Sequence, residues 1–572
     1  MKNELLIKNG IVIDPLNNIM GEKMDIAIKD GKIVEEVSKN AKVIDASGKL
    51  VVPGGVDSHS HVAGSKVNVG RIMRPEDGRK MRESKTDVLR SQGGFSVPTT
   101  ITTGYRYAKM GYTTVMEAAM PPLKARHTQE EIRDTPILDE AAFTVMGNNW
   151  FVMEYLKEKD YDKCAAYAAW LLKVTRGYAI KLVNPGGVEA WGFGKNVNSL
   201  DDPVPNFEIT PREIIEGLTK VNEVLRLPHS VHVHCNRLGQ PGCATITLET
   251  FKVPKDVKLN TVSDREHIFY VTHVQFNAFG GTGWRDFESG AKELADYVNQ
   301  NKYMVIDTGC VTYDNTTTMT GDGPAEFNIQ RLAGYKWVNG DVEVECGSGI
   351  VPFVFMPKNP VHSVQWAIGL ELALLVDDPW RVIITTDHPN GGPFIRYPRV
   401  YAWLMSKKYR EEWLKKSHPW ATERSSLATI EREYTLEEII INTRAATAKI
   451  LGLNRIKGHL GIGADADVAI YDVNPEEFDF SNSPREVENI FSNALYTIKG
   501  GEIIVKEKQI VNVIQGSTFW LNPKVDKELE EEVLKEVKEK FKAYYTINFN
   551  NYAVDLAYLK NHREIPIVTG VA

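Results

Sequence analysis

The stretch Val52-Pro-Gly-Gly-Val-Asp-Ser-His-Ser-His61 ends a run that reads as a β-strand. His59 and His61 stand two apart, and on an extended chain such side chains point to the same face. Two neutral imidazoles held close together on rigid backbone suit a divalent metal ion. A surface turn that happens to carry two histidines is the plain alternative. The two readings separate on whether other apolar strands also end in polar side chains.

Before this stretch the chain alternates apolar and polar residues in short runs. Leu5 to Ile13, Met24 to Ile28, Lys32 to Val37 and Lys42 to Ile44 read as strands. Asp30-Gly31 reads as a hairpin turn, because glycine tolerates the positive φ of a tight turn. The same texture returns at Asp467 to Asp472, Ala494 to Ile498 and Glu502 to Val505, with Gly500-Gly501 as a second tight turn. Neither end is large enough to bury a core alone, so residues 1–52 and 458–515 are expected to pair into one small β-sandwich domain.

Residues 53–457 alternate strand and helix signals. Thr113 to Met116, Tyr178 to Val183, Ser230 to His234, Phe269 to Val274, Met304 to Asp307 and Val382 to Thr386 read as strands. Asp162 to Val174, Pro211 to Leu225 and Ala291 to Gln300 read as helices between them. This pattern predicts an α/β fold, a (β/α)8 TIM-like barrel. Residues 516–572 form a C-terminal extension. Within it Lys524 to Tyr545 reads as an amphipathic helix, with Val525, Leu529, Val533, Val537 and Phe541 recurring every four residues. That stripe either packs on its own barrel or docks a partner subunit.

Barrels of this kind carry their chemistry at the C-terminal ends of the strands. Polar residues do stand there. Lys181 lies in Ala-Ile-Lys-Leu-Val, where burial favours the neutral amine. A neutral amine can take up carbon dioxide as a carbamate, an anionic ligand able to bridge two metals; alternatively the lysine snorkels out of the strand end. His232 and His234 share a face in Ser-Val-His-Val-His-Cys-Asn, His273 follows Phe-Tyr-Val-Thr, and Asp387 ends Val-Ile-Ile-Thr-Thr. Singly, each is as well explained as a hydrogen-bonded core residue or a turn cap. Burying all of them without partners would be costly, and metal ions offer the simplest compensation.

The rest of the composition sets limits. A formal net charge of −7 argues against a nucleic-acid surface. No apolar run is long enough to span a bilayer, and Met1-Lys-Asn-Glu-Leu-Leu-Ile7 lacks a signal-peptide pattern. Cys164, Cys235, Cys243, Cys310 and Cys346 are scattered, which suits a reducing, cytoplasmic setting. None forms a Cys-x-x-Cys pair, so any redox centre belongs on another polypeptide.

The order His-x-His, strand lysine, histidine, histidine, aspartate resembles the metal-dependent amidohydrolase superfamily in its binuclear, carboxylated-lysine branch. The paired β-rich ends and the block Gly461 to Asp472 resemble it too. The resemblance implies two divalent metal ions, with zinc suited to the histidine-rich set. His59, His61 and Asp387 would hold one, His234 and His273 the other, and N6-carboxylated Lys181 would bridge them. It favours His234 over His232 because Cys235 and Asn236 follow as a polar pair. Asp387 would double as the catalytic proton shuttle.

Longer stretches, Arg71 to Arg79, Gly177 to Gly187 and Val231 to Gly242, resemble the A subunits of formylmethanofuran dehydrogenases of methanogenic archaea. That implies reversible condensation of formate with the amine of methanofuran to N-formylmethanofuran, in carbon dioxide fixation and methanogenesis. Partner subunits would carry tungsten or molybdenum and the iron–sulfur centres. A hydrolytic cyclic amidase of the hydantoinase or dihydroorotase kind is the enzymatic rival; Asn236 stands where such amidases usually offer an acid. A non-catalytic scaffold subunit is the other alternative, and the complete set of six ligands argues against it. Asn236, Arg237, Arg285 and His388 are further candidates near the metals.

Overall fold

In the computed structural model, which describes residues 4–260, 265–340, 348–545 and 547–567, eight strands run parallel and pair in chain order. They are β1 (Gly55–Ser60), β2 (Tyr112–Met120), β3 (Asp139–Val145), β4 (Ala179–Val183), β5 (Val231–His234), β6 (Phe269–Val271), β7 (Met304–Asp307) and β8 (Val382–Ile383). A parallel bridge between Ser60 and His388, with the His61 N–H donating to the His388 carbonyl at 2.7 Å, ties the last strand back to the first. The expected barrel is therefore present. Helices Tyr161–Thr175, Pro211–Val224 and Ala291–Gln300 lie close to the spans read from sequence.

The Pro-Gly-Gly before β1 has a packing reason. A Cβ on Gly55 would meet the Tyr112 ring at 2.5 Å, and one on Gly54 would collide with Thr113. Only glycine lets the chain enter the barrel this close to β2. Two strands end sooner than their apolar runs suggest. β6 stops at Val271 because His273 turns left-handed, at φ 36°, and β8 gives way before Asp387, at φ 49°. Both turns re-aim side chains at the C-terminal face.

The two chain ends join through Leu50–Pro53 and Val468–Tyr471, which pair antiparallel. All nine strands of this region belong to one continuous sheet rather than two separate ones. It wraps one apolar core that includes Ile7, Val12, Ile28, Val51, Val468, Ile470 and Ile498. Both hairpin turns occur, with Asp30 and Gly31 at φ 50° and 80° and Gly500 and Gly501 at 55° and 80°.

The C-terminal helix, Lys527–Tyr544, packs on the barrel's own helix Tyr161–Thr175, burying Val533, Val537 and Phe541. Its apolar stripe is thus covered within the chain. Cys164, Cys235, Cys243 and Cys310 are buried and free, while Cys346 lies outside the described residues. Among the described residues no helix is long and apolar enough to cross a membrane.

β3 is the strand the sequence hides, because it opens with two acids. Asp139 and Glu140 are buried with cations from distant parts of the chain. Lys457 Nζ bonds Asp139, Asp467 at 2.6 Å and Asp465 at 2.9 Å. Lys499 Nζ lies 2.5 Å from Asp139, and Lys560 Nζ 2.6 Å from Glu140. Burial works against the Asp139 charge, but Lys457 and Lys499 outweigh it and hold the carboxyl well below its usual range. This network joins the barrel, the returning chain and the extension at the N-terminal ends of the strands, opposite the site. Replacing Lys457 with methionine leaves Lys499 as the remaining cation for both Asp139 and Asp467 and should destabilise the chain by about 3–5 kcal/mol. Lys292→Ala, which removes an exposed i,i+4 pair with Asp296, should change stability by no more than ~0.5 kcal/mol. Equal thermal midpoints for the two variants would show that the network does not hold the three parts together.

Candidate metal centre

The C-terminal ends of the strands open onto one cavity of about 700 Å³. His59, His61, Lys181, His234, His273 and Asp387 all line it. His59 Nε2 and His61 Nε2 lie 3.1 and 3.3 Å from Asp387 Oδ1, and these three residues offer ligand atoms within 4.8 Å of one another. The His234 and His273 rings meet edge to face at 4.7 Å, and His273 faces His59 at 5.3 Å. The two histidine groups therefore face each other across the buried end of the cavity.

Among the six candidate ligands, three buried polar atoms have no hydrogen-bond partner: Lys181 Nζ, His273 Nδ1 and Asp387 Oδ1. Orphaned polar atoms are rare in protein interiors, and each costs about 1–3 kcal/mol. Three in one place, among imidazoles, make a donor set that fits cations. Burial pushes the Lys181 amine down to about 7, and it drives the His59 and His273 imidazoles well below their usual range.

Neighbouring acids settle which nitrogen of two histidines is free. His61 Nδ1 donates to Glu117 Oε1 at 3.2 Å, which leaves its Nε2 bare toward Asp387. His234 Nε2 donates to Asp322 Oδ2 at 3.0 Å, leaving Nδ1. Carboxylate partners of this kind fix ring orientation and raise ligand basicity. Burial works against the Glu117 charge, but Lys66, His61 and backbone N–H groups from Val62 and Ala63 outweigh it and hold the carboxyl at about 2. Asp322 also accepts from Asn184 Nδ2 at 3.0 Å and caps the helix Gly323–Ala333.

His232 shares the inward face with His234 but lies one layer deeper. It does not line the cavity, and its Nε2 sits 2.9 Å from His59 Nδ1. Asn236, Arg237, Arg285 and His388 do not line the cavity either. Asn236 Nδ2 donates to Asn184 Oδ1 at 2.7 Å and the Pro185 carbonyl at 2.9 Å, bracing the loop after β4. His388 Nδ1 accepts the Phe394 N–H.

Sequence reasoning passed over Glu117, Asp322 and Lys66. Glu117 follows directly on the apolar run Thr113 to Met116, so the strand-end criterion used for the other residues would have found it. Asp322 stands in a Gly-Asp-Gly-Pro turn and reads only as a helix cap. Lys66, in the helix Ser65–Met73, donates to the Ala119 carbonyl at 2.7 Å and lines the cavity with Arg74. The cavity wall also carries the apolar side chains Leu238, Phe276, Trp284, Phe353, Phe355 and Val361.

Comparison with known proteins places this geometry among relatives. The amidohydrolase family model matches residues 42–505. The chain is 59% identical to protein FwdA of Methanocaldococcus jannaschii, over 99% of both chains. It is 34% identical to the A component of the formyltransferase/hydrolase complex Fhc of Methylorubrum extorquens, over 94% of both. A chain in the crystal structure of that complex with methylofuran superposes with a TM-score of 0.88 at 32% identity, covering 99% of this chain and 100% of that one.

A buried amine with no partner opposes folding until something satisfies it. The Lys181→Met variant, without metal, should therefore be at least as heat-stable as the parent. Added zinc should raise the thermal midpoint of the parent and leave that of the variant unmoved. A variant that unfolds at markedly lower temperature without metal would mean that Lys181 already has a structural partner.

Proposed function

The chain belongs to the amidohydrolase family, and from that premise we propose that it is the formyl-transferring A subunit of a formylmethanofuran dehydrogenase complex. In this reading it condenses formate with the primary amine of methanofuran, reversibly, at two divalent metal ions, zinc by donor type. His59, His61 and Asp387 would hold one ion, His234 and His273 the other, and carboxylated Lys181 would serve both. The single observation that carries the reading is the convergence of six ligand-type side chains on one cavity, three of them with unpartnered buried atoms. Identity over nearly the whole of both chains with FwdA, and the methylofuran complex of a structural relative, support the substrate. Residues 1–52 and 458–515 serve as a small β-domain, 53–457 as the barrel and 516–572 as the extension. Partner subunits with tungsten or molybdenum and iron–sulfur centres would supply formate, since the chain's cysteines form no cluster motif.

When bound, the metal pair supplies Lewis acidity that draws electron density from the formate carbon. The chain's own residues do the rest. The amine must arrive neutral; its nitrogen bonds to the formate carbon while one formate oxygen leaves as water. That water carries one proton from the amine nitrogen and one from solution. Asp387 Oδ1, facing the cavity without a protein donor, takes the first and delivers it to the departing oxygen. Asn390 Nδ2 holds the other oxygen, Oδ2, at 2.9 Å, so the carboxylate keeps its aim through both transfers. Leu238, Phe276, Trp284 and Phe353 limit bulk water, which would drive the reaction back toward hydrolysis.

Two outcomes test this reading. Asp387→Asn should lower hydrolysis of an N-formyl primary amine by roughly 10²–10⁴-fold, with a smaller change in metal content by elemental analysis. Hydrolysis of cyclic ureides in place of the N-formyl amine would sink the proposed activity, and a parent chain with far less than two metals per site would favour the scaffold. Carbamate formation needs the neutral amine, so bicarbonate-dependent zinc uptake should follow the Lys181 amine at about 7. Uptake should be near its plateau at pH 8 and about tenfold slower at pH 6, where about nine in ten amines carry a proton. A flat profile between those values would contradict a carboxylated lysine.

A further inference from the structure

His61 is backed by a carboxylate at hydrogen-bond distance, whereas behind His59 the nearest acid, Asp307, keeps its Oδ2 3.6 Å from Nδ1. Behind His59 runs a buried chain of imidazoles. His59 Nδ1 lies 2.9 Å from His232 Nε2, His232 Nδ1 lies 3.0 Å from His229 Nε2, and His229 Nδ1 lies 2.7 Å from the Ile450 carbonyl. All three rings are inaccessible to solvent. A carbonyl only accepts, so His229 carries its proton on Nδ1. A neutral imidazole has one N–H, so His229 Nε2 must accept from His232 Nδ1, and His232 Nε2 must accept from His59 Nδ1. One backbone carbonyl thereby sets the proton position on three rings and leaves His59 Nε2 with a bare lone pair.

The side branch agrees. Thr272 Oγ1 gives its proton to Asp307 Oδ2 at 2.7 Å, so toward His59 Nδ1 it can only accept. This direction is needed because Asp387 pulls the other way. Its Oδ1 lies 3.1 Å from His59 Nε2 and, in a metal-free chain, would reward a proton there. His59, His232 and Asp307 also sit close enough together to suggest a third ion. Two imidazole nitrogens on one tetrahedral zinc stand roughly 3.3 Å apart, given Zn–N bonds of ~2.05 Å; the observed 2.9 Å is a hydrogen bond.

We propose that His229 and His232 are positioning residues that lock His59 in the tautomer able to bind metal through Nε2. The inference rests on the metal-centre reading. Burial also pushes the His229 imidazole, which anchors the chain at the Ile450 carbonyl, down to about 3.

The test strips the full chain of metal and titrates zinc against a competing chelator in the parent, His229→Gln and His229→Met. Glutamine offers an N–H to the Ile450 carbonyl and a carbonyl to His232 Nδ1, preserving the polarity; methionine fills the space and preserves neither. The methionine variant should bind zinc about 10- to 100-fold more weakly, with glutamine within a few fold of the parent. Equal affinity in the methionine variant and the parent overturns the relay, as does a glutamine variant as weak as methionine. A third zinc per chain that is lost in His232→Gln also overturns it. Should methionine prevent folding, ¹⁵N shifts of the histidines in the metal-free parent decide. Nδ1–H forms of His59, His232 and His229 support the relay, and an Nε2–H form of any of them ends it. A parent that takes up no zinc defeats the metal reading itself, and the ¹⁵N shifts then judge the relay alone.

Discussion

An amine with no partner, sealed at the end of an apolar strand, is the constraint on which the site turns. Lys181 is held by β4 between β3 and β5, and its Cα pairs in register with His232. In that position it can neither reach solvent nor find an acceptor. Folding tolerates such a group only if the interior gains elsewhere or if the group changes chemically. Carbon dioxide uptake, as proposed above, would do the latter and turn an unsatisfied cation-former into an anionic ligand. The small sheet holds one related case, Asp14, whose Oδ1 is also buried without a partner, but its Oδ2 accepts from Asn17 Nδ2 and the Leu460 N–H, both at 2.7 Å. The barrel alone supplies the rigid enclosure that keeps this lysine in place.

Rigidity around the lysine has identifiable sources. The bridge from Ser60 to His388 sets the closing seam of the barrel directly beside His59, His61 and Asp387. Left-handed backbone at His273 and Asp387 costs energy that β-type residues would avoid, and it turns both side chains into the cavity. Asp307 ties these pieces together: it accepts from the His273 N–H at 2.6 Å, from Thr385 Oγ1 at 2.9 Å and from Thr272. Strand ends that look merely irregular are thus fixed by hydrogen bonds from three adjacent strands.

Much of this was legible in the sequence, for a physical reason. Strand ends at the catalytic face must carry polar residues immediately after apolar runs, and that abrupt change is visible for His59, Lys181, His234, His273 and Asp387. Period two also reads correctly at Val231–His234, where both histidines face inward. What it could not read is depth: His232 and His234 differ only in which layer of the barrel they reach, and a layer is a property of the closed sheet. β3 stayed hidden because its first two residues are acids, and their partners Lys457, Lys499 and Lys560 lie more than 300 positions away along the chain. Asp322 was invisible for a similar reason, since a capping aspartate and a histidine's hydrogen-bond acceptor have the same local sequence.

The polar cluster beneath the barrel and the one above it obey opposite rules. Below, Lys457 and Lys499 meet Asp139 and Asp467 in a network whose charges offset one another, and burial there adds strength to paired charges. Above, Asp387 and Lys181 each keep an atom unmatched, so burial adds reactivity. Low dielectric magnifies both situations, because it strengthens paired charges and penalises unpaired ones. A fold that satisfied its upper cluster as fully as its lower one would be more stable and would have no place to bind a cation. The lower network, which fastens the returning chain and the extension to β3, lets the upper site remain incomplete without loosening the barrel that holds it.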